Sequence, residues 1–221
     1  MESLSQYYVL FCIYYSTNGD GWNVNDGWNQ TDLDPCNGWS GIQCDERDKI
    51  VSINLFSNGL KGTFAQEVML LASDGSFSSL AGNLKSLDLY HNELLSNGGD
   101  NSWITNLGSN LGKSNCTAFQ VFSHSSCYTH IFSLSFYFTL KFKLAEYLFI
   151  GKTSFSGPLP RLPTGLIEFD ASHTLTDGGL DASNFEGLNN LSWLLLDGCM
   201  FESSVPTEIA LLPSLEYFYI T

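Results

Sequence analysis

The chain has 221 residues, a formal net charge of −14 and a hydrophobic fraction of 43%. That apolar share is too high for a disordered chain and ordinary for one globular domain or two small ones. The acidity argues against a phosphate-backbone partner, which needs Lys and Arg to displace counterions, and otherwise serves solubility.

Residues 1–15 are apolar, but no basic residue precedes the run and no small-residue cleavage site follows it. The pattern predicts an amphipathic helix with Leu4, Tyr7, Tyr8, Phe11, Tyr14 and Tyr15 on its apolar face. Trp22, Trp28 and Trp39 follow, and Cys36 and Cys44 form a distinctive local pair beside them. Cys12, Cys116, Cys127 and Cys199 have no partner that spacing suggests. Glycosylation sequons at Asn29, Asn115 and Asn190 point to a secreted route.

From Ile50 onward one ladder recurs, L-x-x-L-x-L-x-x-N-x-L. Its clearest copies are Ile50, Ile53, Leu55, Asn58, Leu60 and Leu84, Leu87, Leu89, Asn92, Leu94. Looser copies run Ala145, Leu148, Ile150, Thr153, Phe155, then Leu166, Phe169, Ala171, Thr174, Thr176. A fifth runs Leu191, Leu194, Leu196, Cys199, Phe201, and a sixth begins at Leu215, Phe218, Ile220. The central x-L-x-L-x alternates side chains across a strand, leucines inward and x residues to solvent. A unit this short cannot bury its apolar row alone, so copies must stack. The ladder is the leucine-rich-repeat signature. It predicts an α/β solenoid, a right-handed superhelix shaped as a horseshoe or arc, with a parallel sheet on its concave face.

The spacing breaks once. Leu87 and Leu148 stand 61 residues apart, against 21 to 25 between later copies, and residues 101–145 contain no Asp or Glu. Gly112-Lys113-Ser114 can be encoded with a donor-like G|GTAAG, and a Phe, Ser and Leu run is what a pyrimidine-rich tract encodes. Ala145-Glu146 can carry an acceptor-like CAG, so residues 112–145 read as translated intron. A genuine insertion loop is the competing reading. A membrane span is disfavoured because Lys141, Lys143 and Glu146 interrupt the apolar run. Residues 108–114 look like a phosphate-binding loop. They fall one residue short of G-x-x-x-x-G-K-S, however, and follow a predicted helix over 103–111 in place of a strand.

The tails of the copies carry a further pattern, L-x-G-x-x-P. Phe155-Ser-Gly157-Pro-Leu-Pro160 matches it, Phe201 to Pro206 matches with Ser for Gly, and Leu60 to Ala65 ends in Ala where Pro is expected. The fourth copy lacks the tail. Tails, ladder and the tryptophan–cysteine segment of residues 14–44 together resemble plant-type leucine-rich-repeat proteins, found in receptor-like kinase ectodomains and secreted inhibitors. The resemblance implies an N-terminal helical cap over residues 1–48, with the tryptophans as plugs and Cys36–Cys44 as a disulfide. It also implies repeats 1–2 over 49–111, an atypical insertion over 112–145 and repeats 3–6 over 146–221, the last incomplete. An exposed last strand, Leu215 to Ile220, would then be an aggregation hazard.

The solvent-facing positions form the candidate ligand surface. Copies one and two place Asn54, Phe56, Asp88, Tyr90 and His91 there, and copies three and four place Tyr147, Phe149, Asp170 and His173. Copies five and six add Trp193, Asp197, Tyr217 and Tyr219. Aromatics among scattered carboxylates suit protein, peptide or glycan recognition; a plain solvated sheet surface is the alternative. His91 and His173 share a column two copies apart, roughly 10 Å at ~4.8 Å per strand, too far for one metal without further ligands. No nucleophile elbow, zinc motif, kinase signature or calcium-loop spacing occurs, so no cofactor, metal or catalytic residue is expected.

The expected function is a non-catalytic binding module of a receptor-like or secreted protein, extracellular or at the cell surface. It would have no nucleic-acid partner and would meet a membrane only through a segment beyond this chain. A secreted hydrolase inhibitor, or a misread repeat protein with no ligand, are the alternatives. Full-length transcript sequencing is expected to show mature messages lacking the 34 codons of residues 112–145; their retention in most copies would sink the intron reading.

Overall fold

The computed structural model describes residues 2–64, 68, 71, 84–95 and 146–221. The expected helix over 103–111, the segment 112–145 and the sequon at Asn115 lie outside these. Two helices open the chain, α1 (Glu2–Ser16) and the single turn α2 (Pro35–Gly38). Twelve short strands follow among the described residues: β1 (Ile42–Cys44), β2 (Ile50–Asn54), β3 (Lys61–Thr63), β4 (Ser86–Asp88), β5 (Glu93–Leu95), β6 (Tyr147–Phe149), β7 (Ser156–Pro158), β8 (Glu168–Asp170), β9 (Leu175–Gly178), β10 (Trp193–Leu195), β11 (Met200–Phe201) and β12 (Tyr217–Tyr219).

The ladder's central x-L-x segments make the main sheet, ordered β1-β2-β4-β6-β8-β10-β12. From β2 to β12 every pairing is parallel and in one register, so Ile53, Leu87, Leu148, Phe169, Leu194 and Phe218 form a row. All but the partly buried Phe218 are buried, as period-two alternation requires. β4 pairs directly with β6, so the register runs unbroken across the irregular spacing.

The backbone ladder continues past the strands into a turn. Ser57, His91, Lys152 and His173 all have φ between 48° and 60°, and Gly198 holds the same position at φ 65°. Four of them bridge the copies through their own amides: Ser57 N donates to Tyr90 O, His91 N to Gly151 O, Lys152 N to Ser172 O and His173 N to Asp197 O, at 2.7–2.9 Å. Left-handed backbone is disfavoured for residues with a Cβ. One bond to the next copy at each position offsets that cost.

The next column is buried from Asn58 to Thr174 and partly buried at Cys199. Asn92 is central to it: Oδ1 accepts from Asn58 N and Leu60 N, both at 3.0 Å, while Nδ2 donates to Leu55 O and Leu89 O at 2.8 and 2.9 Å. Thr153 and Thr174 replace Asn in later copies and donate within their own turns, to Ile150 O and Ala171 O, and Thr174 Oγ1 also lies 2.7 Å from Thr176 Oγ1 and 3.5 Å from Cys199 Sγ. Cys199 holds the position in copy five, its Sγ 3.2 Å from Ala171 O.

The tails form a second layer, β3 paired with β5 and β7-β9-β11 in one parallel sheet. Copy four, which lacks the tail motif, still forms β9, because β7 and β11 offer it hydrogen-bond partners on both sides. Between copies, Asp181 and Asn184 close a capping box on a 3₁₀ turn, and Asn184 Nδ2 donates back to Leu159 O at 2.7 Å.

The N-terminal helix differs from the expected amphipathic stripe. Val9 to Tyr14 are six consecutive buried residues, so this part of the helix is covered around its circumference; of the expected face, Phe11 and Tyr14 are buried, Tyr7 and Tyr8 are partly buried and Tyr15 is exposed. Trp22, Trp28 and Trp39 are buried in one cluster, with centroids 4.8 Å (22–28) and 5.3 Å (28–39) apart. Each indole N–H finds a backbone oxygen, on Thr17, Ser40 and Leu33 respectively. Cys36 and Cys44 are joined in a disulfide. Cys12, for which spacing suggested no partner, is also disulfide-bonded. Cys44 ends β1, the one antiparallel strand among the described residues, which covers the outer edge of β2 and was not expected from the repeat pattern. Gly41 permits that approach: its φ is 78°, and a Cβ there would collide with Asn54 O.

Asn92→Ala removes four bonds to buried backbone groups at once. Each orphaned group costs about 1–3 kcal/mol, so the variant is expected to lose at least ~3 kcal/mol in urea unfolding. Thr153→Ala, losing one bond, should lose about 1 kcal/mol. Equal losses would refute the bridging role.

Candidate functional site

The solvent-facing positions of the main sheet fall into rows fixed by register. The first row reads Ser52, Ser86, Tyr147, Glu168, Trp193, Tyr217. The second reads Asn54, Asp88, Phe149, Asp170, Leu195, Tyr219. One turn further on, Phe56, Tyr90, Gly151, Ser172 and Asp197 hold equivalent positions, followed by the left-handed residues.

The expected site residues separate into three groups. Asn54, Asp88 and Asp170 are turn formers: their Oδ1 atoms accept from Phe56 N, Tyr90 N and Ser172 N, at 3.1, 3.0 and 2.8 Å. This is the Asx turn, in which a short side chain satisfies the amide two residues on. Asp170 is buried, so its carboxylate supports the turn in place of facing a ligand.

The second group is an aromatic surface in the early copies. Phe56 stacks on Tyr90 with centroids 5.9 Å apart and planes 7° from parallel. His91 packs edgewise on Phe56 at 6.5 Å, its Nδ1 3.3 Å from Ser57 Oγ. Lys152 Nζ lies 5.5 Å from the Tyr90 centroid, a cation–π contact that sequence columns did not reveal. Gly151 makes the room: a Cβ there would come within 2.7 Å of Tyr90 Cε2 and 2.8 Å of Asp170 Oδ1.

The third group lies in the later copies. Trp193 and Tyr217 pack with centroids 4.2 Å apart and remain 38% and 43% exposed. Tyr219 is exposed one row on, and Tyr147 and Phe149 are partly exposed in β6. His173 lies over Gly198 and pairs with Asp197, Nε2 to Oδ2 at 3.3 Å. The two histidines therefore have separate partners. No group of three or more His, Cys, Asp or Glu able to hold a metal occurs among the described residues.

Burial lifts the Asp170 carboxyl above the usual range; Asp197 adds to this, while the Ser172 donors and His173 oppose it. Burial raises Asp88 as well, with Asp170 adding to it and the Tyr90 amide opposing. Burial likewise raises the Cys199 thiol, which keeps it protonated and poorly nucleophilic.

The parallel sheet, the column of Asn58, Asn92, Thr153, Thr174 and Cys199 behind its turns and the exposed rows make a leucine-rich-repeat fold. The LRR ectodomain of the plant membrane receptor kinase GASSHO1/SCHENGEN3 from Arabidopsis thaliana, solved in complex with CASPARIAN STRIP INTEGRITY FACTOR 2, matches 100% of this chain and 21% of its own. The TM-score is 0.65 at 16% identity. The ectodomain of the receptor kinase SOBIR1 from Arabidopsis thaliana matches 100% of this chain and 95% of its own, with TM-score 0.60 and 18% identity. The BIR2 ectodomain from the same plant matches 96% and 94%, with TM-score 0.58 and 13% identity. In sequence, a receptor-like protein kinase of Ipomoea nil is 37% identical over 46 residues, 21% of this chain and 4% of that protein's length. No family model matches the chain. The resemblance read from the repeats is met in fold, and in sequence over those 46 residues.

Asp170 and Asp88 have raised folded values. Their contribution to stability is therefore full below the unfolded carboxyl value of about 3.9 and is lost as pH rises through the folded value. Asn54 already fills this turn in copy one, so Asp170→Asn keeps the acceptor and removes the charge. The variant is expected to unfold at higher urea than the parent at pH 7, with the gap closing by about pH 4. A gap constant with pH would contradict the assignment.

Proposed function

We propose that this chain is a non-catalytic binding module, an extracellular leucine-rich-repeat solenoid that takes a protein or peptide ligand on its concave sheet face. In this reading α1, the tryptophan cluster and the disulfide are the N-terminal cap over residues 1–48. Repeats follow over 49–111 and 146–221, with 112–145 an insertion. With those residues removed, the link from β5 to β6 has 17 residues, against 14 from β9 to β10 and 15 from β11 to β12. The observation that carries the function is the exposed aromatic surface, Phe56 on Tyr90 and Trp193 on Tyr217, held on a hydrogen-bonded sheet. Rigid aromatics on a preordered surface give large contact area at low entropic cost.

Related folds support a peptide or protein ligand over a glycan. GASSHO1/SCHENGEN3 was solved with CASPARIAN STRIP INTEGRITY FACTOR 2, and HAESA with an extended IDA peptide hormone. The chain spans 21% of the first of these and 33% of the second, so the receptor-like role rests on this proposal. No described helix is long and apolar enough to cross a membrane. Asn29 and Asn190 are exposed and available to carry glycans on the secreted protein.

Selection of a random dodecapeptide display library on the immobilised chain tests the face. Binders are expected, and Trp193→Ala or Phe56→Ala should weaken them at least tenfold, as loss of an aromatic anchor does. Leu211→Ala, which is 78% exposed on a 3₁₀ turn away from the rows, should leave them unchanged. Equal loss from all three, or no binder, would overturn the reading.

A further inference from the structure

The first row of the sheet holds an arrangement the early copies do not. Glu168 in β8 pairs in register with Tyr147 of β6 on one side and Trp193 of β10 on the other, and Trp193 pairs with Tyr217 of β12. Neighbouring strands lie about 4.8 Å apart, so a carboxylate sits between aromatic residues along a line of four side chains. All four reach solvent. Glu168 makes no ion pair among the described residues.

The basic side chains of the adjoining face are already engaged. Lys85 Nζ pairs with Glu146 at 3.3 Å, and Lys152 lies over Tyr90. The early copies thus satisfy an aromatic face with the chain's own cation. The later copies have the aromatic faces and a carboxylate, and supply no described cation to them.

We propose that the Tyr147–Glu168–Trp193–Tyr217 row receives an arginine side chain of an extended peptide segment, which deepens the concave-face reading and rests on it. A planar guanidinium stacks on Trp or Tyr while its N–H fork meets a carboxylate, two demands a lysine ammonium meets less well. The surroundings favour a cationic ligand: Asp197 lies on the same side, one turn from the row, and the chain's formal charge is −14. The ligand on this account is a basic peptide, with its arginine anchored in the later copies.

The display binders supply the probe. Synthetic copies of the selected dodecapeptides are compared with versions in which each arginine becomes citrulline, which keeps shape and removes charge, and with lysine versions. Arginine should be enriched in the selected sequences. Citrulline at one position should weaken binding at least tenfold, and lysine by less. Glu168→Gln should reduce the preference for arginine over citrulline to near unity, whereas Glu208→Gln, on the 3₁₀ turn with Leu211, should preserve it. Binding of arginine peptides should also weaken with added salt. If the binders lose affinity in Trp193→Ala but arginine and citrulline versions bind alike, the arginine assignment is overturned while the concave-face reading stands. If no binder responds to Trp193→Ala or Phe56→Ala, both fall.

Discussion

Everything in this fold depends on backbone hydrogen bonding from one copy to the next. Each strand of the main sheet is three to five residues long, too short to be stable alone, and its amides are satisfied only by its neighbours. The ladder does not stop at the strand ends. Leu55, Leu89, Ile150, Ala171 and Leu196 donate across the copies at 2.8–3.0 Å, and the left-handed residues two positions on mostly do the same. A chain that pairs this way has its register set copy by copy. That is why β4 and β6 can meet correctly although 58 residues separate them, from Leu89 to Glu146.

The same dependence creates a problem at the first copy, since β2 would otherwise present an unpaired edge and an open apolar face. Two devices address it with different physics. β1 pairs antiparallel with β2 and consumes the edge hydrogen bonds, held in place by the Cys36–Cys44 disulfide at its end. The aromatic cluster closes the apolar face, with Tyr14 on Trp22, Trp22 on Trp28, Trp28 on Trp39 and Phe11 against Trp39. Because each indole N–H also reaches a backbone oxygen, the cluster hides large apolar area without orphaning a donor.

The inward row was legible because period two leaves no choice: a one-residue slip would put Leu87 or Leu148 in water. The buried Asn92 was legible from its place in the ladder, and its four bonds explain why that place prefers an amide over the Thr or Cys of later copies. β1 was not legible, since Ile42-Gln43-Cys44 is too short to show a period and gains its strand form from β2 alone. Nor was β9, whose tail motif is missing and whose conformation comes from β7 and β11. The helix was misjudged in a readable way. Val9, Leu10, Cys12 and Ile13 fall off the predicted stripe yet are apolar, and the structure buries them all. In the candidate site the columns followed from alternation, but the division of labour within them did not. Side-chain acceptors at Asn54, Asp88 and Asp170, and Lys152 over Tyr90, depend on turn geometry that no spacing encodes.

That division of labour separates carboxylates engaged in the scaffold from a carboxylate left unengaged on the same surface. A carboxylate that closes an Asx turn has its lone pairs committed and its charge partly desolvated, so it has little left for a ligand. Asp88 and Asp170 are of this kind, and Asp197 is committed to His173. Glu168 stands two residues before Asp170 on the same face of the strand and has no such commitment. Its side chain is one methylene longer and stands where no backbone amide two residues on needs an acceptor. The second row therefore builds the sheet's rim, and the first row, with Tyr147, Trp193 and Tyr217 beside the one uncommitted acid, is where charge and aromatic area remain available together.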